Sequence, residues 1–179
     1  MGLFRSMSDY ASPSAQQHRD DAPKSVACAV VTVSDTRTLD NDGSGAKIVE
    51  LLAAAGHRVV QRQIVPDEPL QVTALVRALV ADPGVEAVLL TGGTGIAARD
   101  QTPEAVRGLL SRELPGFGEI FRVLSFQEIG AAAMLSRALG GVAGTTVVLL
   151  MPGSTAAVRL AMEQLVLPEL AHLVEHAGR

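Results

Sequence analysis

Three glycines within four positions, Gly92, Gly93 and Gly95, stand with Thr91 and Thr94 directly after the apolar run Val88-Leu89-Leu90, and Asp100 follows. Glycine admits backbone conformations closed to other residues and leaves successive amide hydrogens free to face an anion, so the run reads as a phosphate cradle. A Gly-Gly pair alone reads as a tight turn; the flanking Thr91, Thr94 and Asp100 favour the cradle. Three further positions follow apolar runs in the same way: Ser34-Asp35, Asp67 after Val65-Pro66, and Gly153-Ser154 after Met151-Pro152. In open α/β sheets ligands bind beyond the carboxyl ends of the strands, so these four places are expected to converge. Asp67 and Asp100, taken singly, are turn or capping residues. Brought together beside a phosphate, they would hold Mg2+, which prefers carboxylate and phosphate oxygens.

The segment Gly93-Thr94-Gly95-Ile96-Ala97-Ala98 also fits a dinucleotide-binding fingerprint, but that fingerprint opens a helix at once, and here Arg99 to Pro103 intervenes. No glycine-rich loop ends in Gly-Lys-Ser/Thr, which excludes an ordinary P-loop ATPase. His172 and His176 share one helix face, yet no third ligand lies near in sequence, so they read as a solvated face. Cys28 is the single cysteine and lies in an apolar run, which makes it a core residue rather than a nucleophile.

The elements that must position these residues follow from periodicity. Ser25 to Val33 is a continuous β-branched run of the kind buried on both faces of a sheet. A polar loop with Gly43 and Gly45 leads to a helix carrying Ile48, Leu51, Leu52 and Ala55, stopped by Gly56. Residues 57–65 form a second strand, 69–81 a helix with Leu75, Val76 and Leu79 inward, and 85–90 a third strand. Thr102 is expected to cap the next helix, with Pro103 at its first position. Residues 119–137 are mainly helical, Gly140-Gly141 is a turn, 145–151 is a buried strand, and a final helix follows Ser154 through Val166. The β-α-β-α-β alternation predicts a three-layer α/β/α fold around a mostly parallel central sheet.

The chain has 179 residues, 47% of them hydrophobic and only 3% aromatic, which suits one domain with an aliphatic core. A net charge of −4 gives no general attraction to nucleic acid or to an anionic membrane. Residues 1–24 are rich in Ser, Gln, Asp and Pro and read as a disordered tail ahead of a domain over 25–179. They lack the apolar stretch of a secretory signal, and no later segment is long enough to span a bilayer, so the expected location is the cytoplasm.

Val88-Leu89-Leu90-Thr91-Gly92-Gly93-Thr94-Gly95, Arg99-Asp100, Thr102-Pro103-Glu104, Pro115-Gly116-Phe117-Gly118-Glu119, Leu135-Ser136-Arg137 and Met151-Pro152-Gly153-Ser154 together resemble the MogA/MoaB molybdopterin adenylyltransferase family. With Val33-Ser34-Asp35 and Pro66-Asp67-Glu68 the resemblance spans residues 25–173, and Gly153-Ser154 places it nearer the MoaB branch. It implies that molybdopterin, a pterin dithiolene ending in a phosphate, is adenylylated by magnesium ATP to give adenylylated molybdopterin and pyrophosphate, ahead of molybdate insertion. Asp67 and Asp100 match the two acidic positions needed for activity. By the same resemblance the loop Thr91 to Gly95 binds phosphate or pterin, with Ser34, Asp35, Thr102 and Glu104 beside it and Ser136, Gly153 and Ser154 on the substrate side. Homotrimers or homohexamers and other proteins of molybdenum cofactor biosynthesis are the partners it implies. The alternatives are a molybdopterin-binding protein without turnover and an oligomeric scaffold of the same fold. The chemistry needs no protein nucleophile, only alignment of two anions and neutralisation of their charge.

Overall fold

A computed structural model describes residues 25–179; the tail expected over 1–24 lies outside the described residues. The chain runs β1 (Ala27–Val33), α1 (Gly43–Ala54), β2 (Arg58–Val65), α2 (Pro69–Ala81), β3 (Ala87–Thr91), α3 (Thr102–Arg107), β4 (Arg112–Glu113) and α4 (Pro115–Ile129). A 3₁₀ segment (Gly130–Leu135) then leads to β5 (Leu139–Ala143), β6 (Thr146–Met151), α5 (Thr155–Ala161) and α6 (Leu167–Ala177). The strands form one sheet in the order β2-β1-β3-β6-β5-β4. β1 pairs in parallel with β2 and β3, and β3 with β6, whereas β5 and β4 are antiparallel additions at one edge.

Every residue of β1, β3 and β6 is buried, and their side chains alternate between two cores. Val30, Leu89 and Leu149 face α1, α4, α5 and α6, packing on Ile48, Leu52, Phe121 and Leu170. Val31, Leu90 and Leu150 face α2 and α3, packing on Val72, Val76, Leu79 and Val106. Helices thus cover both faces, the three-layer arrangement that the alternating pattern predicts. Val72 joins Val76 and Leu79 on the inward face of α2, and Leu75, half-buried, packs against the same core. Cys28 is fully buried, and burial, helped by the nearby Glu86 carboxylate, pushes its thiol up to about 12. It is a core residue.

Three local readings are corrected. Gly43 and Gly45 open α1 instead of preceding it, because Asp42 caps the helix by accepting from the Gly45 N–H at 2.9 Å. Gly140 and Gly141 lie inside β5, and the turn falls at Gly144-Thr145 between the paired Ala143 and Thr146. Both glycines are there for clearance: a Cβ on Gly140 would stand 2.9 Å from Leu149 Cδ2, and one on Gly141 2.5 Å from the Arg112 carbonyl. The last helix continues past Val166 to Ala177 through a wide π turn at Met162–Val166. Pro168, which lacks an N–H for the carbonyl four residues back, lies two residues past that turn.

Candidate active site

Four strand carboxyl ends meet at one end of the sheet, as their parallel direction requires. Backbone bonds tie them together: Ser34 N–H donates to the Val65 carbonyl at 2.9 Å and Gly92 N–H to the Met151 carbonyl at 3.1 Å. Gly92 and Gly93 have φ of 105° and 63°, the left-handed region that favours glycine. Space demands glycine as well. A Cβ on Gly92 would lie 2.3 Å from the Val33 carbonyl oxygen, and one on Gly93 2.2 Å from Thr102 Oγ1 and 3.0 Å from Asp67 Oδ1. Gly153 packs against Gly92, its Cβ position 3.3 Å from the Gly92 Cα.

The loop that follows β3 closes on itself through Asp100, whose carboxylate accepts from the Ala97 N–H at 3.0 Å. Among the described residues the amides of Gly93, Thr94, Gly95 and Ile96 have no protein acceptor. These four consecutive donors form an open strip in the loop that carries Asp100 and lies against Asp67.

Asp67 is held from two sides. Its N–H donates to Asp35 Oδ1 at 3.0 Å, and its carboxylate accepts from the Thr102 hydroxyl at 3.0 Å. Burial raises the Asp67 carboxyl above the usual carboxylate range; Thr102 offsets part of this, while the charges of Asp100 and Glu68 add to it. The site therefore disfavours its own negative charge, a condition that a bound cation would relieve. Asp35 also pairs with Arg99, so one carboxylate links the β1 end, the β2 end and the tip of the loop.

Thr102 is thereby diverted from the cap expected of it. The cap position of α3 belongs to Gln101, with no side-chain cap bond, and Thr102 is the first helical residue with Pro103 second. Four other candidates turn their hydroxyls to backbone. Thr91 is fully buried and donates to the Pro152 carbonyl at 2.9 Å, which joins the β3 and β6 ends. Ser34 accepts from the Thr36 and Arg37 amides, each at 3.2 Å, and Ser154 caps α5 by accepting from Ala157 N–H at 3.2 Å. Thr94 is buried in the loop, and Ser136 Oγ accepts from Ala138 N–H at 3.4 Å.

Two clefts flank the loop and share Glu104 and Arg137 as a wall: one of about 300 Å³ over Ala97, Ala98 and Asp100, and one of about 380 Å³ that reaches Ser136, Arg122 and Gly118. A third, of about 520 Å³, lies beyond Asp35 and is lined by Ser34, Arg37 and Pro66. Among the described residues no group of three or more His, Cys, Asp or Glu is gathered to hold a metal. His172 and His176 stack edge to face at 4.5 Å on α6, with His172 half-buried beside Glu169 at 3.0 Å.

Two groups escape a sequence reading. Arg137 belongs to the Leu-Ser-Arg motif, but its partners lie 33 to 42 residues away: Nη1 donates to Glu104 at 2.5 Å, Nε to the Gly95 carbonyl at 2.8 Å, and Nη2 to the Asp100 carbonyl. Asp42, 2% exposed, accepts from Thr32 at 2.8 Å and from Arg62 at 3.0 Å, a buried network under the β1 end. An aspartate just before Gly43-Ser44-Gly45 was the available cap signal.

Comparison with known proteins agrees with this architecture. A family model described as a probable molybdopterin binding domain matches residues 29–172. The molybdenum cofactor biosynthesis protein B of Halalkalibacterium halodurans is 55% identical over 162 residues, covering 90% of this chain and 95% of that protein. A crystal structure of a molybdenum cofactor biosynthesis protein B superposes with a TM-score of 0.85 at 51% identity, over 88% of this chain and 98% of that one. The tungsten cofactor synthesizing protein MoaB of Pyrococcus furiosus superposes at 0.78 with 38% identity, over 88% of this chain and all (100%) of that one.

Proposed function

The chain belongs to the molybdopterin-binding family of molybdenum cofactor biosynthesis proteins, and from that premise we propose that it adenylylates molybdopterin. The phosphate oxygen of molybdopterin attacks the α-phosphorus of ATP, a new P–O bond forms, the bond to the β-phosphate oxygen breaks, and pyrophosphate leaves. The observation that carries this reading is the strip of open amides from Gly93 to Ile96 set against Asp67 and Asp100.

Each part has a physical task. The amides hold phosphate oxygens in place at no reorganisation cost, which aligns the attacking and leaving groups. Asp67 and Asp100 are hard oxygen donors and suit an ion that takes its other oxygens from phosphates and water, the habit of Mg2+. When bound there, Mg2+ would neutralise charge on the phosphates. Thr102 and Asp35 hold Asp67 by side chain and backbone. The 380 Å³ cleft past Arg137 leaves room for the remainder of the substrate beyond its phosphate.

The reading includes self-association. Ile120, Val123, Phe126 and Ile129 of α4 are each more than half exposed, with Met134 75% exposed just after the helix. Exposed apolar residues grouped in this way mark an association surface, and a second copy of this chain is the proposed occupant. No helix among the described residues is long and apolar enough to cross a membrane.

Pyrophosphate release from magnesium ATP tests the proposal: release only when molybdopterin is present supports adenylyl transfer. Tight molybdopterin binding without release would instead indicate a carrier, and neither binding nor release a scaffold.

A further inference from the structure

The Gly95–Asp100 segment carries Asp100 and the open Ile96 amide, yet it is exposed from Ile96 to Arg99 and belongs to no helix or strand. Loops of this kind sample many conformations, and catalysis requires one. A single side chain reaches both its ends. The Arg137 guanidinium donates from Nε to the Gly95 carbonyl at 2.8 Å and from Nη2 to the Asp100 carbonyl, while Nη1 meets Glu104 at 2.5 Å. Glu104 sits in the first turn of α3, and Arg137 itself lies between the 3₁₀ segment and β5. The loop is thus fastened to two ordered elements through one planar group.

We propose that Arg137 is a positioning residue for adenylyl transfer, a staple that fixes the loop so that Asp100 and the Ile96 amide face the reacting phosphates. The inference rests on the reading above. Peptide geometry gives it a mechanism: the Gly95–Ile96 peptide is trans, so a Gly95 carbonyl turned toward Arg137 sends the Ile96 N–H to the opposite side. Fixing the Asp100 carbonyl likewise sets the Cα from which its carboxylate projects. Only a guanidinium does this, because its rigid fork serves acceptors in three directions at once; a lysine ammonium is a point charge on a flexible stem. The arginine is 30% exposed and bonded on every nitrogen, so it acts through the loop.

The test compares wild type, Arg137→Lys and Arg137→Ala by molybdopterin-dependent pyrophosphate release, by binding of inorganic pyrophosphate, and by hydrogen exchange of the loop amides. The expected result for both variants is a kcat lower by about 30- to 100-fold, with a rise in KM for ATP no larger than the loss of pyrophosphate binding. Loop exchange should quicken and pyrophosphate binding should weaken about tenfold. Millimolar guanidinium should restore part of the activity to Arg137→Ala without changing its Tm. A kcat within threefold of wild type despite faster loop exchange would overturn the inference. So would full activity in Arg137→Lys, or a loss that tracks a lowered Tm and is not rescued. A wild type without turnover would contradict adenylyl transfer itself; the staple then stands or falls on whether Arg137→Ala loses pyrophosphate binding and loop protection.

Discussion

The Thr102 hydroxyl donates to the Asp67 carboxylate at 3.0 Å across 35 residues of sequence, so a residue placed to cap a helix instead anchors an acid from a neighbouring strand end. Gly93 lies against this pair, with no room for a Cβ. The carboxylate is fastened, partly buried and close to two other acids. That arrangement costs stability, and under the proposed function a bound cation would offset the cost.

Asp67→Asn should therefore melt at or above the wild-type temperature at pH 7 while pyrophosphate release collapses. Burial, opposed by the Thr102 bond and augmented by Asp100 and Glu68, raises its folded carboxyl above the unfolded value. A raised acid penalises the folded state once it is ionised, and the penalty disappears below about pH 3.9, where both states are protonated. Melting curves of the two proteins should thus converge as pH falls through the acid range. A variant several degrees less stable at pH 7 would contradict this.

Gly93→Val should abolish molybdopterin binding and leave the fold in place. The new side chain meets a positive φ of 63° and the Thr102 and Asp67 oxygens, a strain on the order of 1–3 kcal/mol that the loop relieves by moving. Wild-type binding together with an unchanged Asp67 would show that the cradle lies elsewhere.

Asp42 predicts the opposite pH response. Burial alone would raise its carboxyl, but the Gly45 N–H, the Thr32 hydroxyl and Arg62 outweigh it and hold it below the usual range. A depressed acid stabilises the fold above about pH 3.9, and the contribution is lost as pH falls through the folded value. Asp42→Ala should lower the unfolding free energy by about 3 kcal/mol near neutral pH, since it strands Arg62 and removes a helix cap. Denaturant titrations at several pH values should show that gap narrowing below pH 4; a constant gap would point to packing alone.

How much of this was legible depends on whether the cause was local. Helix α2 begins at Pro69 and ends at Ala81 as its apolar spacing requires, and the buried β1 and β6 runs announce themselves by composition. The Gly92 loop and its two acids are visible because parallel strands must end on one side. Gly140-Gly141 misleads because its cause, contact with Leu149 and Arg112, comes from other elements. Thr102 has the pattern of a cap, and only the placement of Asp67 reassigns it. Arg137 and the Asp42–Arg62 pair form through tertiary contacts, which no local spacing encodes.

The exposed apolar residues of α4 make a separate prediction about assembly. Val123→Glu with Phe126→Glu, both at positions more than half exposed, should leave the Tm of the subunit intact and reduce the particle mass in light scattering. An unchanged mass would remove this face from any interface.

Asp100→Asn decides the central claim most directly. The Asn side-chain oxygen can still accept from the Ala97 N–H that Asp100 engages at 3.0 Å, so shape is kept and charge removed. The measurement is molybdopterin-dependent pyrophosphate release from magnesium ATP, with Tm and molybdopterin binding read on the same samples. The account predicts a rate at least about a hundredfold lower, on the order of 3 kcal/mol of transition-state stabilisation, with binding and Tm close to wild type. A rate within threefold of wild type would contradict it, leaving Asp100 a turn residue and the amide strip without its metal.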